Sequence, residues 1–291
     1  MSNSSVDWQS KLSHRLFLAR KDLYHLTLPG NYDNQVVLLI LGCQRSGTTL
    51  MTKIFEKDWQ VKVYSEHSKL SAGDQLDGLR LNPLTEVRHE LSKDRYPFIV
   101  LKPLVESQNA HYLFDNFDGA YGLWMYRHYK DVAASNLKRF GKGNGIKNLR
   151  FIAGDRVSNW RAENLSEYVR NLVREHFSES MDPYDAAALF WYVRNTLYFD
   201  QHLDRHPRIK LCHYADLVQS PEDSVQAIYS YLHQPYPGDQ VIEDVHSTSI
   251  GKGQQSELSV EIEDLCGHMW ARLEDAAKSS GILHIPVEKE I

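Results

Sequence analysis

The most constraining stretch of this 291-residue chain is the apolar run Val36 to Leu41, which leads directly into Gly42-Cys43-Gln44-Arg45-Ser46-Gly47-Thr48-Thr49. A helical pattern, Thr48 to Lys57, follows it. A short apolar run closed by a turn reads as a buried strand. Strand, glycine loop and helix in that order form an anion cradle. The glycines let the backbone fold around an oxyanion, the loop amides point inward, and the helix start adds about half a positive charge.

The rest of the chain repeats the rhythm. Val61 to Tyr64, Phe98 to Leu101, Gly122 to Tyr126 and Ile209 to Cys212 read as further buried strands, separated by periodic segments such as Lys130 to Phe140. Strands alternating with helices predict an α/β fold: a P-loop-like three-layer sandwich with a mainly parallel central sheet of about five strands, flanked by helices. Ligands of such sheets bind beyond the C-terminal ends of the strands. With 42% apolar and 24% charged residues the composition is that of a globular protein, and 1–291 reads as one domain.

Residues 1–30 form a helical extension in which Trp8, Leu12, Leu16, Ala19, Leu23 and Leu26 recur at helical spacing, ended by Pro29 and Gly30. That helix is expected to pack on the domain or on a partner copy, so a homodimer is compatible with the sequence. Leu258 to Ser279 reads as a closing helix. Segments 65–95 and 141–182 break the rhythm and are candidates for lids or acceptor-binding walls. No run reaches the ~20 apolar residues of a membrane span and no secretion signal opens the chain, so a cytoplasmic location is expected. Cys43, Cys212 and Cys266 stand too far apart for a zinc knuckle, and no metal site is expected. The net charge of −5 gives no sign of a nucleic-acid partner and leaves small anions as the expected ligands.

Gly42 and Gly47 have the spacing of a nucleotidase P-loop, but Thr48 stands where those enzymes carry lysine. A small-molecule kinase is therefore the weaker reading, although Arg45 could clamp a terminal anion through two hydrogen bonds. Gln44-Arg45-Ser46-Gly47-Thr48-Thr49-Leu50 resembles the 5′-phosphosulfate loop of the sulfotransferase superfamily. A second motif supports it: a strand delivering Arg127, then Asp131 and Ser135 on a helix, is similar to that family's 3′-phosphate motif. Arg127 and Ser135 are eight residues apart, so a strand end and a residue two turns into a helix could converge on one phosphate.

The resemblance implies 3′-phosphoadenosine 5′-phosphosulfate as donor, without metal, and a small-molecule or carbohydrate-type acceptor with a hydroxyl. It assigns the 5′-phosphosulfate to Arg45, Ser46, Gly47, Thr48 and Thr49, and the 3′-phosphate to Arg127 and Ser135. Tyr214, in Leu211-Cys212-His213-Tyr214, would touch the nucleotide, and Ser249 and Lys252 would close over its phosphates. Glu66 lies 21 residues after Arg45, where the protein-tyrosine and polysaccharide branches carry a catalytic glutamate, and is chosen as base. His67 is its competitor. The Lys-x-His pattern of the cytosolic small-molecule enzymes is replaced here by Lys102-Pro103-Leu104, in which Lys102 would steady the leaving oxygen as Arg45 holds the phosphosulfate. The pattern fits a bacterial-type soluble enzyme or an excised domain of a larger synthase. A non-catalytic nucleotide-binding protein of the same fold is the remaining alternative, since fold alone does not establish turnover. Trp191 is expected in the core and Arg194 in an ion pair.

Overall fold

A computed structural model describes residues 3–28 (side chains from residue 12 on), 35–71, 79–154, 159–253 and 257–282. Pro29 and Gly30, and parts of the two candidate wall segments, lie outside the described residues. The elements run α1 (Asn3–Thr27), β1 (Val36–Gly42), α2 (Thr48–Glu56), β2 (Val61–Tyr64), α3 (Leu84–Leu91), β3 (Phe98–Leu101), α4 (Ala110–Asn116) and β4 (Tyr121–Tyr126). They continue through α5 (Tyr129–Phe140), α6 (Asn144–Ala153), α7 (Glu167–His176), α8 (Pro183–Asp200), β5 (Ile209–His213), α9 (Tyr214–Gln219), α10 (Pro221–Tyr231) and α11 (Val260–Ser280). A 3₁₀ turn, Leu104–Asn109, links β3 to α4.

The five strands form one sheet in the order β2-β3-β1-β4-β5, every pair parallel. Strand β1 is therefore central, and Leu38, Leu39, Ile40 and Leu41 are completely buried. Such a strand is apolar on both faces because both are covered. Leu39 and Leu41 join Ile99, Leu101, Trp124 and Leu211 in the core shared with α8 and α11, while Leu38 and Ile40 join Val100, Leu123 and Met125 beneath α2 and α10. At about 1.5–3 kcal/mol for each fully buried large aliphatic side chain, these two layers dominate the stability.

Helix α8 starts from Asp182, whose side chain accepts the Tyr184 amide hydrogen, with Pro183 in the first turn. Every residue from Ala186 to Phe199 is buried, since the sheet lies on one side and α5, α6 and α11 on the others. It carries no apolar stripe because it has no wet face.

Helix α1 differs from the sequence expectation. Its docking face is Phe17, Lys21 and His25: the Lys21 ammonium donates to the Glu56 carbonyl at 2.9 Å, and the two His25 ring nitrogens face the Trp59 and Arg95 carbonyls at 2.7 and 3.0 Å. Burial lowers the Lys21 pKa to about 8. The leucines that define the apolar stripe are exposed, Leu16, Leu23 and Leu26 each by more than half. Long polar side chains can bury their stems when backbone carbonyls receive their tips, which the hydrophobic pattern does not register. Among the described residues no helix is long and apolar enough to cross a membrane.

Candidate functional site

The loop after β1 can only be built with its two glycines. Gly42 has φ +117° and a Cβ there would stand 2.4 Å from the Met125 carbonyl oxygen, while Gly47 has φ +93° and a Cβ would stand 2.4 Å from Tyr214 Cδ2. Positive φ is the region L-residues avoid, and neither site has room for a methyl group. Arg45 also has φ +70°, a strained conformation that turns its side chain out of the loop toward α5. There its Nε donates to Ser135 Oγ at 3.0 Å. Burial lowers the Arg45 pKa, and the neighbouring cations Arg139 and Arg127 push it further down.

Around the loop three buried polar atoms lack any hydrogen-bond partner: Gln44 Nε2, Ser46 Oγ and Arg127 Nε. A buried polar group without a partner costs about 1–3 kcal/mol, so native proteins rarely keep three together unless something else satisfies them. Among the described residues the only other such atom is Ser224 Oγ.

Arg127 leaves the end of β4 and is fastened on three sides. Its guanidinium donates to the Ser249 carbonyl, lies 3.4 Å from Asp131 and stacks over the Tyr214 ring at 4.4 Å. The Tyr214 hydroxyl bonds Ser249 Oγ. Asp131 accepts the backbone amides of Gly251 and Gly253 at 3.0 and 2.8 Å. Trp191, buried as expected, donates its indole N–H to the Arg127 carbonyl at 3.0 Å and fixes the strand end from below. Thus Arg45, Arg127, Ser135, Tyr214 and Ser249 meet at one place, with Arg45 standing between Arg127 and Ser135. Lys252 is exposed on the same loop and makes no ion pair among the described residues.

On the other side of the loop, Lys102 follows β3 and Glu66 follows β2, adjacent strands in the sheet. Their charged groups are 2.9 Å apart, with exposures of 8% for Lys102 and 19% for Glu66, and Lys102 also reaches Thr49 Oγ1 at 3.3 Å. A nearly buried ammonium thereby touches both the start of α2 and the one carboxylate that lines the cleft among the described residues. His67 lines the same cleft beside Glu66.

The cleft has a volume of about 310 Å³. Its lining includes Arg45, Thr48, Thr49, Glu66 and Lys102, then Asn144, Lys147 and Asn148 of α6 with Trp160 and Arg161, and the apolar Leu104, Val105 and Phe190. Segments 65–95 and 141–182 therefore both contribute, through Glu66, His67 and Leu79 and through the α6 residues, Trp160 and Arg161.

Arg194 also lines the cleft and corrects the ion-pair expectation: its hydrogen bonds go to Gln108 Oε1 and the Leu104 carbonyl, both at 3.2 Å. Burial lowers its pKa to about 10. The opposing charge sits one step away. Gln108 Nε2 donates to Glu163 at 2.9 Å, and Glu163 and Glu106 share Arg80, which grips Glu106 through Nε at 2.7 Å and NH2 at 3.0 Å. Two guanidiniums and two carboxylates cancel in a network that ties the cleft walls together. Sequence reading missed it because Arg80, Glu106 and Glu163 are far apart in the chain and match no motif.

No family model and no curated protein matches the sequence. Solved structures do. The fold is similar to the sulfotransferase domain from the Synechococcus PCC 7002 olefin synthase, with TM-score 0.51 and 16% identity, covering 84% of this chain and 96% of that one. It is equally similar to the sulfotransferase domain from the curacin biosynthetic pathway, with TM-score 0.51 and 15% identity, covering 84% of this chain and 98% of that one. At these identities the likeness establishes the fold: a central parallel sheet flanked by helices, as expected from the sequence.

Proposed function

We propose that this chain is a sulfotransferase, moving a sulfuryl group from 3′-phosphoadenosine 5′-phosphosulfate to a hydroxyl of an acceptor bound in the cleft. The observation that carries the reading is the trio of unpartnered buried polar atoms, Gln44 Nε2, Ser46 Oγ and Arg127 Nε, gathered around a phosphate loop that also holds Arg45. They fit an anionic group of many acceptor oxygens. The Arg45, Arg127 and Arg139 cations, crowded enough to lower the Arg45 pKa, fit it as well.

In this reading the loop amides with Arg45, Ser46, Gly47, Thr48 and Thr49 hold the 5′-phosphosulfate. Arg127 and Ser135 hold the 3′-phosphate, with Tyr214, Ser249 and Lys252 around the nucleotide. The donor supplies an activated sulfuryl group. Transfer is in line: the acceptor oxygen forms a bond to sulfur as the bond from sulfur to the phosphate oxygen breaks, releasing adenosine 3′,5′-bisphosphate. Such loose transfers depend on positioning and on neutralising the leaving oxygen more than on covalent help. Lys102 is placed for the second task and Glu66 for taking the acceptor proton. The Glu66 carboxylate and the Lys102 ammonium are 2.9 Å apart. Lys102 already touches Thr49 in the loop.

Calorimetric titration tests the reading. Adenosine 3′,5′-bisphosphate should bind at least tenfold more tightly than AMP, and Arg127→Ala should erase most of the difference, since a charge-assisted phosphate contact contributes about 1.5–3 kcal/mol. Equal affinity for the two nucleotides would remove the role given to Arg127 and Ser135.

A further inference from the structure

The cleft is more basic than sulfuryl transfer requires. In the reading above, which this inference rests on, Arg45 and Lys102 serve the donor. Among the described residues the one carboxylate of the lining, Glu66, is already paired with Lys102. Cations nevertheless continue along the lining. Asn144, Lys147 and Asn148 stand at i, i+3 and i+4, on the face that α6 turns to the cleft. Lys147 makes no ion pair among the described residues. Beside it Asn148 Oδ1 accepts from Arg161 Nε at 2.6 Å, and the Arg161 guanidinium lies 4.2 Å over the Trp160 ring, which fixes its plane at the cleft wall.

The surrounding sequence is biased in the same direction. Positions 132–154 hold five basic residues and no acidic one, in a chain whose net charge is −5. Of the five, only Arg150 has a carboxylate partner among the described residues, Glu179, on the outer surface. Like charges gathered without counter-ions repel one another, and a concave, partly apolar setting focuses their potential onto whatever binds there. Arg139 belongs to the donor side, because it is near enough to Arg45 to affect its pKa. Lys147 lines the same cleft as Glu66 and His67. In that lining Leu104, Val105, Trp160 and Phe190 offer an apolar surface.

We infer that the acceptor is an amphipathic hydroxy acid: its hydroxyl goes to Glu66, its apolar body lies on Trp160 and Phe190, and its carboxylate meets Lys147 beside Arg161. The carboxylate takes no part in the chemistry. The acceptor oxygen gains the sulfuryl group, its proton passes to Glu66, and the carboxylate sets only which hydroxyl compounds are held. A carboxylate that meets the Lys147 ammonium gains a charge-assisted hydrogen bond that a methyl ester cannot make, whereas the ester is favoured by apolar burial alone.

The test compares ω-hydroxyhexanoate and hydroxyphenylpropionate, each with its own methyl ester. Binding is measured by calorimetry on the full chain, both free and saturated with adenosine 3′,5′-bisphosphate, so that no turnover is needed. Each acid should bind about tenfold more tightly than its ester, the size of one charge-assisted contact. Lys147→Ala should bring that ratio to within about twofold, and Lys147→Glu should invert it. The affinity for adenosine 3′,5′-bisphosphate should be unchanged in both variants, which also shows that they fold; Lys147 is exposed and alanine is favoured in helices. Esters that bind as well as acids, or an acid preference that survives Lys147→Ala, would overturn the inference. A fall in bisphosphate affinity in Lys147→Ala would overturn it too, by placing Lys147 on the donor. Failure of the wild type to bind the bisphosphate would instead sink the sulfotransferase reading, while the comparison of acid and ester in the free protein would still decide what the cleft prefers.

Discussion

Substituting Gly47 by alanine perturbs the loop after β1 where it packs against the Tyr214 ring. The residue has φ +93°, so alanine is strained before any neighbour is considered, by about 1–2 kcal/mol. Its Cβ would also stand 2.4 Å from Tyr214 Cδ2, closer than carbon atoms approach, so the ring must move. Moving it breaks the bond between the Tyr214 hydroxyl and Ser249, worth about 1 kcal/mol, and the stacking on Arg127, worth about another. The total is about 3–4 kcal/mol of folding stability. Tyr214→Ala loses the same two contacts without the backbone strain, so its effect should be near 2 kcal/mol. Because the two variants lose those contacts in common, the double variant Gly47→Ala/Tyr214→Ala should be less harmful than their sum by about 2 kcal/mol. Denaturant unfolding of the four proteins, extrapolated to water, measures this coupling. Additive effects within about 0.5 kcal/mol would refute the argument that Gly47 is required because Tyr214 lies against it.

Glu66→Gln should lower turnover with an aliphatic hydroxyl acceptor by about 10²–10⁴ while leaving bisphosphate affinity nearly unchanged, and His67→Ala should be mild by comparison. Near-normal turnover in Glu66→Gln together with loss in His67→Ala would make the histidine the base. The acceptor must be aliphatic, because a nitrophenol ionises without help. Turnover should be unaffected by a chelator, because Arg45, Lys102 and the loop amides supply the positive charge that a P-loop kinase draws from its lysine and magnesium. A strict magnesium requirement with ATP as donor would favour the kinase reading.

The sheet was legible because its strands are short, apolar and closed by turns. Val61–Tyr64 and Phe98–Leu101 begin and end where the pattern places them, and the other three differ by one residue at one end. The phosphate loop was legible for a related reason: positive φ at Gly42 and Gly47 leaves few residue choices, so the constraint is written in the sequence itself. The α6 part of the cleft lining was not. Lys147 and Arg161 look like ordinary surface charges until α6 is packed on α8, and Arg194 gave no sign that it would bond the neutral Gln108. The pairing of Arg80 with Glu106 and Glu163 joins positions 26 and 83 apart, a fact of tertiary structure alone. Helix α1 illustrates the opposite failure. Its strongest pattern, the leucine stripe, faces outward, and its polar side chains make the contacts.

The strand order also bears on how the protein folds. Because β1 lies between β3 and β4, the phosphate loop at its end is bounded by strands that are made much later in the chain, and Tyr214, Ser249 and Gly253 arrive later still. Contacts of such long sequence separation are slow to form, since the entropy of closing the intervening chain is lost before they give anything back. The cluster of Arg127, Tyr214 and Ser249 is thus among the last parts to assemble, and no fragment ending before β5 contains it. In the sulfotransferase reading the nucleotide binds only the finished fold, so its addition is expected to stabilise the protein by RT ln(1 + [L]/Kd).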